Sequence, residues 1–130
     1  MIVLDASAVI EWLLGLPRSE AIAERITDAD QHIHVPHLLA VEVAQVIRRF
    51  EARGEISDVR ASAALEDLAD LGATRHEHEA LLPIVWQLRH NLTAYDAVYV
   101  ALALALEAPL LTLDERLANA PHGAEVELVG

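Results

Sequence analysis

The chain has 130 residues, 54% of them hydrophobic, with a formal net charge of −12 and no cysteine. It is long enough to bury the core of one domain, too apolar for a disordered chain, and unable to form disulfides, thiolate nucleophiles or Cys-ligated zinc. All nine basic residues are Arg; P-loop, Schiff-base and Ser-Lys mechanisms are therefore excluded, and the acidic balance opposes general adhesion to nucleic acid.

Aromatic residues make up only 4% of the chain, so the core is expected to consist of Ala, Val, Leu and Ile. Ile2–Leu4 reads as a buried strand, followed by a helix over Ala6–Leu14 that stops at Gly15, with Pro17 beyond. No basic segment precedes this apolar start, which does not read as a signal peptide. Ser19 is expected to cap a second helix to about Thr27, and His32–Val35 to form a second strand closed by Pro36.

A long helix runs from about His37 to Arg53, with Leu39, Val43, Val46, Ile47 and Phe50 at helical spacing and Gly54 past its end. Ser57 caps a further helix to Leu71, and a weak strand covers Ala73–Arg75. The next helix is expected over His78–His90, with Pro83 near its first turn. The segment NLTAYD introduces a helix through Glu107 that Pro109 breaks. Its apolar run, Ala97–Leu106, is about half the length of a bilayer crossing and reads as a buried core element, not a membrane span. Leu110–Leu113 is a strand, Asp114–Asn119 a short helix and Glu125–Val129 a final strand. Strands alternating with helices predict an α/β fold of one domain, with a mostly parallel sheet of four or five strands covered on both faces. The absence of cysteine is compatible with a reducing cytosol, so a cytoplasmic protein is expected.

In such sheets ligands bind beyond the carboxyl ends of the strands, near the switch in strand order. Asp5 follows the first strand and Asp114 follows LLTL, while Glu42 and Asp96 interrupt otherwise apolar helices. Taken singly, Asp5 and Asp114 suit helix caps, and Thr93-x-x-Asp96 suits a capping box. Glu42 lies in mid-helix on the border of the apolar stripe, where an unpaired buried charge would be costly. Together, the four positions can converge in a domain whose radius of gyration is about 14 Å. Clustered carboxylates raise one another's pKa values, and among the basic residues only Arg116 adjoins one of them in sequence. A hard divalent cation, Mg²⁺ or Mn²⁺, is the natural counter-charge for oxygen-only ligands. Ser7 and Thr112 each stand two residues from an acid, where their hydroxyls would orient a carboxylate or serve as ordinary small polar residues.

Asp5-Ala-Ser7, Glu42 within LLAVEVAQVI, Thr93-x-Tyr95-Asp96-Ala97 heading an Ala/Leu helix, and LLTLDERLA together resemble the PIN-domain nucleases, and within them the VapC-type toxins of toxin–antitoxin pairs. The similarity spans essentially the whole chain. It implies a three-layer α/β/α PIN-like fold and a metal-dependent endoribonuclease. By the same resemblance Asp5, Asp96 and Asp114 would bind Mg²⁺ or Mn²⁺. Glu42 would bind metal directly or through water, or activate the attacking water. Ser7, Thr93 and Thr112 fall at supporting polar positions. It further implies a homodimer, an RNA substrate and a cognate VapB-type antitoxin that docks an Arg-containing segment near the acids.

Three other readings stand beside it. Haloacid dehalogenase-type phosphatases need Asp-x-Asp where this chain has Asp5-Ala-Ser7, and receiver domains share with them a Lys that is absent here. A catalytically silent PIN-fold binding or scaffold protein is the remaining alternative, separable by a metal-binding measurement. His32 with His34, and His76 with His78, have strand-like spacing but lack further zinc ligands at plausible positions. Arg48, Arg49, Arg53 and Arg89 are candidates for a solvated face, for pairs with Glu51 and Glu55, or for phosphate contact.

Overall fold

The computed structural model describes residues 1–130. Five strands, β1 (Ile2–Leu4), β2 (Ile33–Pro36), β3 (Ala73–His76), β4 (Leu110–Thr112) and β5 (Val126–Leu128), form one sheet in the order β3-β2-β1-β4-β5. Every pairing is parallel. Seven helices flank it in a three-layer α/β/α arrangement: α1 (Ala6–Leu13), α2 (Ser19–Ile26), α3 (Leu38–Ala52), α4 (Asp58–Asp70), α5 (Leu82–Gln87), α6 (Ala94–Leu106) and α7 (Glu115–Asn119).

Central β1 is apolar at every position and fully buried, as a parallel strand covered on both faces must be. Helix α6 packs across β1, β2 and β4, while α1 packs on β4 and against α2, α3 and α4. The core is one cluster of 33 buried apolar residues, drawn almost entirely from Ala, Val, Leu and Ile. Edge strand β5 is clamped from α2, where the Arg25 guanidinium donates to both carboxylate oxygens of Glu127, at 2.6 and 2.7 Å.

Two local expectations are corrected. Ser19 is the first residue of α2 and not its cap; Arg18 occupies the cap position with no side-chain cap bond, its own N–H donating to Glu11 Oε2. The expected helix over His78–His90 is instead a 3₁₀ turn at Glu79–Leu81 followed by α5, which ends at Gln87. Pro83 lies in the first turn of α5, where its missing N–H costs nothing. After Gln87 the chain tightens into turns, with the Leu88, Arg89 and Asn91 amides bonding back three residues. Helix α6 ends on Glu107 in the left-handed conformation (φ 51°), which turns the chain towards Pro109 and β4.

Candidate active site

The strand order places β1 and β4 side by side, and the chain reverses its direction of winding between them. The crevice at the carboxyl ends of these two strands is the switch point where ligands bind in open parallel sheets. Asp5 and Asp114 stand there, one beyond each strand. Both also cap the helix that follows. The Ala8 N–H donates to Asp5 Oδ1 at 3.0 Å, and the Arg116 and Leu117 N–H groups donate to Asp114 Oδ1 at 2.9 and 3.2 Å. Capping and site position are therefore not alternatives for these residues.

Asp5 is only 5% exposed and is held by hydroxyls from both sides of the crevice. Ser7 Oγ donates to its Oδ1 at 2.6 Å, and the Thr112 hydroxyl donates to its Oδ2. Each hydroxyl in turn accepts a backbone N–H from the turn between β4 and α7, Leu113 onto Ser7 at 3.0 Å and Asp114 onto Thr112 at 2.9 Å. Each hydroxyl thus donates to the carboxylate, which when ionised has no proton to give, and itself accepts a backbone N–H. Burial pushes the Asp5 carboxyl above the usual range; the bonds from Ser7, Thr112 and Ala8 pull it back, and the Asp114 charge adds to the rise.

Glu42 sits on α3, half-buried, with its Oε1 accepting the Tyr99 hydroxyl of α6 at 2.5 Å. Its carboxyl is raised first by burial, against the Tyr99 bond, and further by the charges of Asp96 and Asp5. Asp96 lies in the first turn of α6, which Thr93 caps by accepting the Asp96 N–H at 3.3 Å. The reciprocal half of a capping box is not formed. The Asp96 carboxylate turns instead to Arg116, whose Nη2 donates to Asp96 Oδ2 at 2.7 Å and lies 3.4 Å from Asp114 Oδ2.

The structure thus gathers Asp5, Glu42, Asp96 and Asp114 into one electrostatic neighbourhood, with Ser7 and Thr112 on Asp5 and Thr93 at the base of Asp96. Their oxygen-only donors have the chemistry of a hard divalent-cation site. No three Asp, Glu or His side chains anywhere stand in a ready-made metal cage, because Asp96 and Asp114 face Arg116 and not a common centre. In donor type the residues fit a divalent cation.

Two residues of this neighbourhood carry roles that spacing did not reveal. Tyr99 read as core, one more residue of AVYVALALAL; the available signal was a hydroxyl one helical turn beyond Asp96. Arg116 was visible only as a neighbour of Asp114, and its bridge to Asp96 depends on where α7 lands.

Elsewhere, His34 Nδ1 and His76 Nε2 lie 2.9 Å apart, and the Leu38 N–H donates to His78 Nε2, which ties the start of α3 to the segment after β3. Burial and the neighbouring His76 lower the pKa of His34. Arg48, Arg49 and Arg53 form no ion pair and present a solvated face. Arg89 stacks over the exposed Trp86 ring at 4.6 Å. A cavity beside the acids is lined by Ala6, Leu38, Val41, Glu42, Arg49 and Tyr95 among others.

The PIN domain family model matches residues 2–123. The chain is 47% identical over 129 residues to Ribonuclease VapC1 of Mycobacterium tuberculosis, covering 98% of this chain and 96% of that one. It belongs to the VapC-type PIN-domain family. Ribonuclease VapC9 of the same organism is 41% identical over 121 residues, 92% of this chain and 90% of its own. Among solved structures, VapBC2 from Rickettsia felis, bound to a DNA fragment from its promoter, superposes with a TM-score of 0.72 over 100% of both chains. At 13% identity that likeness shows the fold alone. In this PIN domain no helix is long and apolar enough to cross a membrane.

Proposed function

We propose that this chain is a toxin endoribonuclease of the VapC type, a single cytoplasmic PIN domain that hydrolyses RNA phosphodiester bonds with bound Mg²⁺ or Mn²⁺. The observation that carries the reading is the 47% identity, over nearly the whole of both chains, to a protein named as a ribonuclease. The convergence of four acids at the switch point of the sheet supports it on independent, physical grounds.

Asp5, Asp96 and Asp114 would hold the cation, and Glu42 would complete the shell directly or through water. A divalent ion, when bound, supplies neutralisation of the phosphate charge and activation of water. The chain's own residues do the rest. Ser7 and Thr112 fix the Asp5 carboxylate, and Thr93 fixes the first turn that carries Asp96. Glu42, with its proton affinity raised, suits the task of accepting a proton from the attacking water as the P–O bond to a ribose oxygen of the RNA breaks and that oxygen leaves with a proton from solvent.

The proposed assembly is a homodimer held in check by a VapB-type antitoxin. Supporting it, Val41, Leu82, Trp86 and Tyr95 are exposed large apolar residues on α3, α5 and α6, Val41 and Tyr95 lining the cavity that holds Glu42. Solved relatives of the same fold include a VapBC pair.

The test is direct. Purified protein freed of antitoxin is expected to cleave a susceptible RNA with Mg²⁺ or Mn²⁺ and not with chelator, and Asp96→Asn is expected to abolish cleavage while leaving the circular dichroism and melting behaviour of a folded protein. Cleavage by Asp96→Asn at the parental rate would show that the site is misassigned.

A further inference from the structure

Arg116 is the one basic side chain in contact with the acids, and two features make its hold on them loose. Only one of its guanidinium nitrogens, Nη2, meets the carboxylates, so the pairing lacks the two-pronged geometry that makes Arg–carboxylate bonds strong. Its side chain is 63% exposed, against 23% for Asp96 and 33% for Asp114, so it can leave without losing packing.

The oxygens it meets are the ones a cation would need. Asp114 Oδ1 already accepts two N–H groups as the cap of α7, which leaves Oδ2 for any further ligand. That Oδ2 and Asp96 Oδ2 both face Arg116 Nη2, at 3.4 and 2.7 Å. A divalent ion binds oxygens at about 2.0–2.1 Å, and an N–H donor cannot occupy the same lone pairs.

We propose that Arg116 is a built-in, exchangeable counter-ion: it holds Asp96 and Asp114 in the metal-free protein and must be displaced for the divalent cation to bind. Arg116 is then a positioning residue that sets the affinity of the site for its cation. The inference rests on the metal-site reading above and deepens it, since it concerns how that site is regulated.

The experiment is calorimetric titration of Mn²⁺ into the full chain, stripped of metal and antitoxin, at fixed ionic strength, for the parent, Arg116→Gln and Arg49→Gln. Arg49 lines the cavity beside Glu42 without pairing to an acid, so it controls for diffuse charge. Loss of direct competition should lower the Kd of Arg116→Gln roughly three- to fivefold, the scale of an exposed pair, with Arg49→Gln changing it less than about twofold. In parallel, the Arg116 guanidinium NMR signal, assigned by its loss in Arg116→Gln, should move to the position of a free arginine as Mg²⁺ saturates the parent. An unchanged or weaker Kd in Arg116→Gln, equal tightening in Arg49→Gln, or an immobile guanidinium signal overturns the proposal while leaving the metal site standing. If the parent itself binds no Mn²⁺ at millimolar concentration, the metal site and the exchange fall together.

Discussion

The Tyr99 hydroxyl donates to Glu42 Oε1 at 2.5 Å, joining α6 to α3 through a side chain that is only 2% exposed. Glu42 has no other side-chain or backbone partner, so this bond alone fixes the carboxylate on its mid-helix perch. Tyr99→Phe keeps the ring and its packing but frees Glu42. RNA cleavage is expected to fall by about 10- to 100-fold, the scale of lost supporting bonds at such sites, with a cost in stability of about 1–2 kcal/mol. Single-turnover cleavage and a urea melt on the same preparation check both.

Thr112 is fully buried and serves two groups at once, donating to Asp5 and accepting the Asp114 N–H. Thr112→Val has nearly the same shape and removes both bonds, leaving that N–H without its acceptor. The expected cost is about 1–3 kcal/mol, together with a loss of cleavage of at least about tenfold. Equal activity in the variant would mean that Asp5 needs no support from β4.

The burial of Asp5 gives a signed pH dependence. Its folded pKa lies above the unfolded one, so the native state holds the extra proton in the window between them, and stability is lost as pH rises through it. Glu42 acts in the same direction. At neutral pH and in chelator, Asp5→Asn is therefore expected to melt above the parent, the gap closing as the pH falls. With saturating Mg²⁺ the order should reverse, because only the parent gains from binding. Scanning calorimetry at several pH values, with and without metal, decides it.

Val41 and Leu82 are exposed apolar residues on α3 and α5. A charge placed there should disrupt self-association without touching the core. Val41→Asp and Leu82→Asp are expected to convert a dimer into a monomer in light scattering coupled to gel filtration, with unchanged far-ultraviolet circular dichroism. A parent that is monomeric at tens of micromolar would contradict the proposed assembly.

Much of the fold was readable because its signals are local. Strand runs such as IVL and LLTL, the Ser57 and Thr93 caps, and Gly54 past α3 each fix a boundary through neighbouring residues. The stretch after His78 differs from the single helix expected with Pro83 near its first turn, because the break after Gln87 comes from turn bonds that leave no residue signature. At the candidate site, Asp5 and Asp114 were legible because each directly follows an apolar strand run, and the strand order then sets the two strands side by side. The Tyr99–Glu42 and Arg116–Asp96 contacts join residues 57 and 20 positions apart. Only the placement of α6 and α3 on the sheet, and the landing of α7, brings those groups together.

The short clamp on β5 has a consequence for the chemistry two strands away. β5 pairs with β4 through Leu110, Leu111 and Thr112, the Val129 N–H donates to Thr112 O at 2.9 Å, and Arg25 holds the strand by Glu127. Peeling that outermost strand would turn β4 into a frayed rim, and the hydroxyl of Thr112 and the cap of Asp114 would fluctuate with it. Asp5 and Asp114 are thus tied through Thr112 to the sheet's last rung, and a ligand or protease gripping the outer strand would act on them through backbone register, without approaching them.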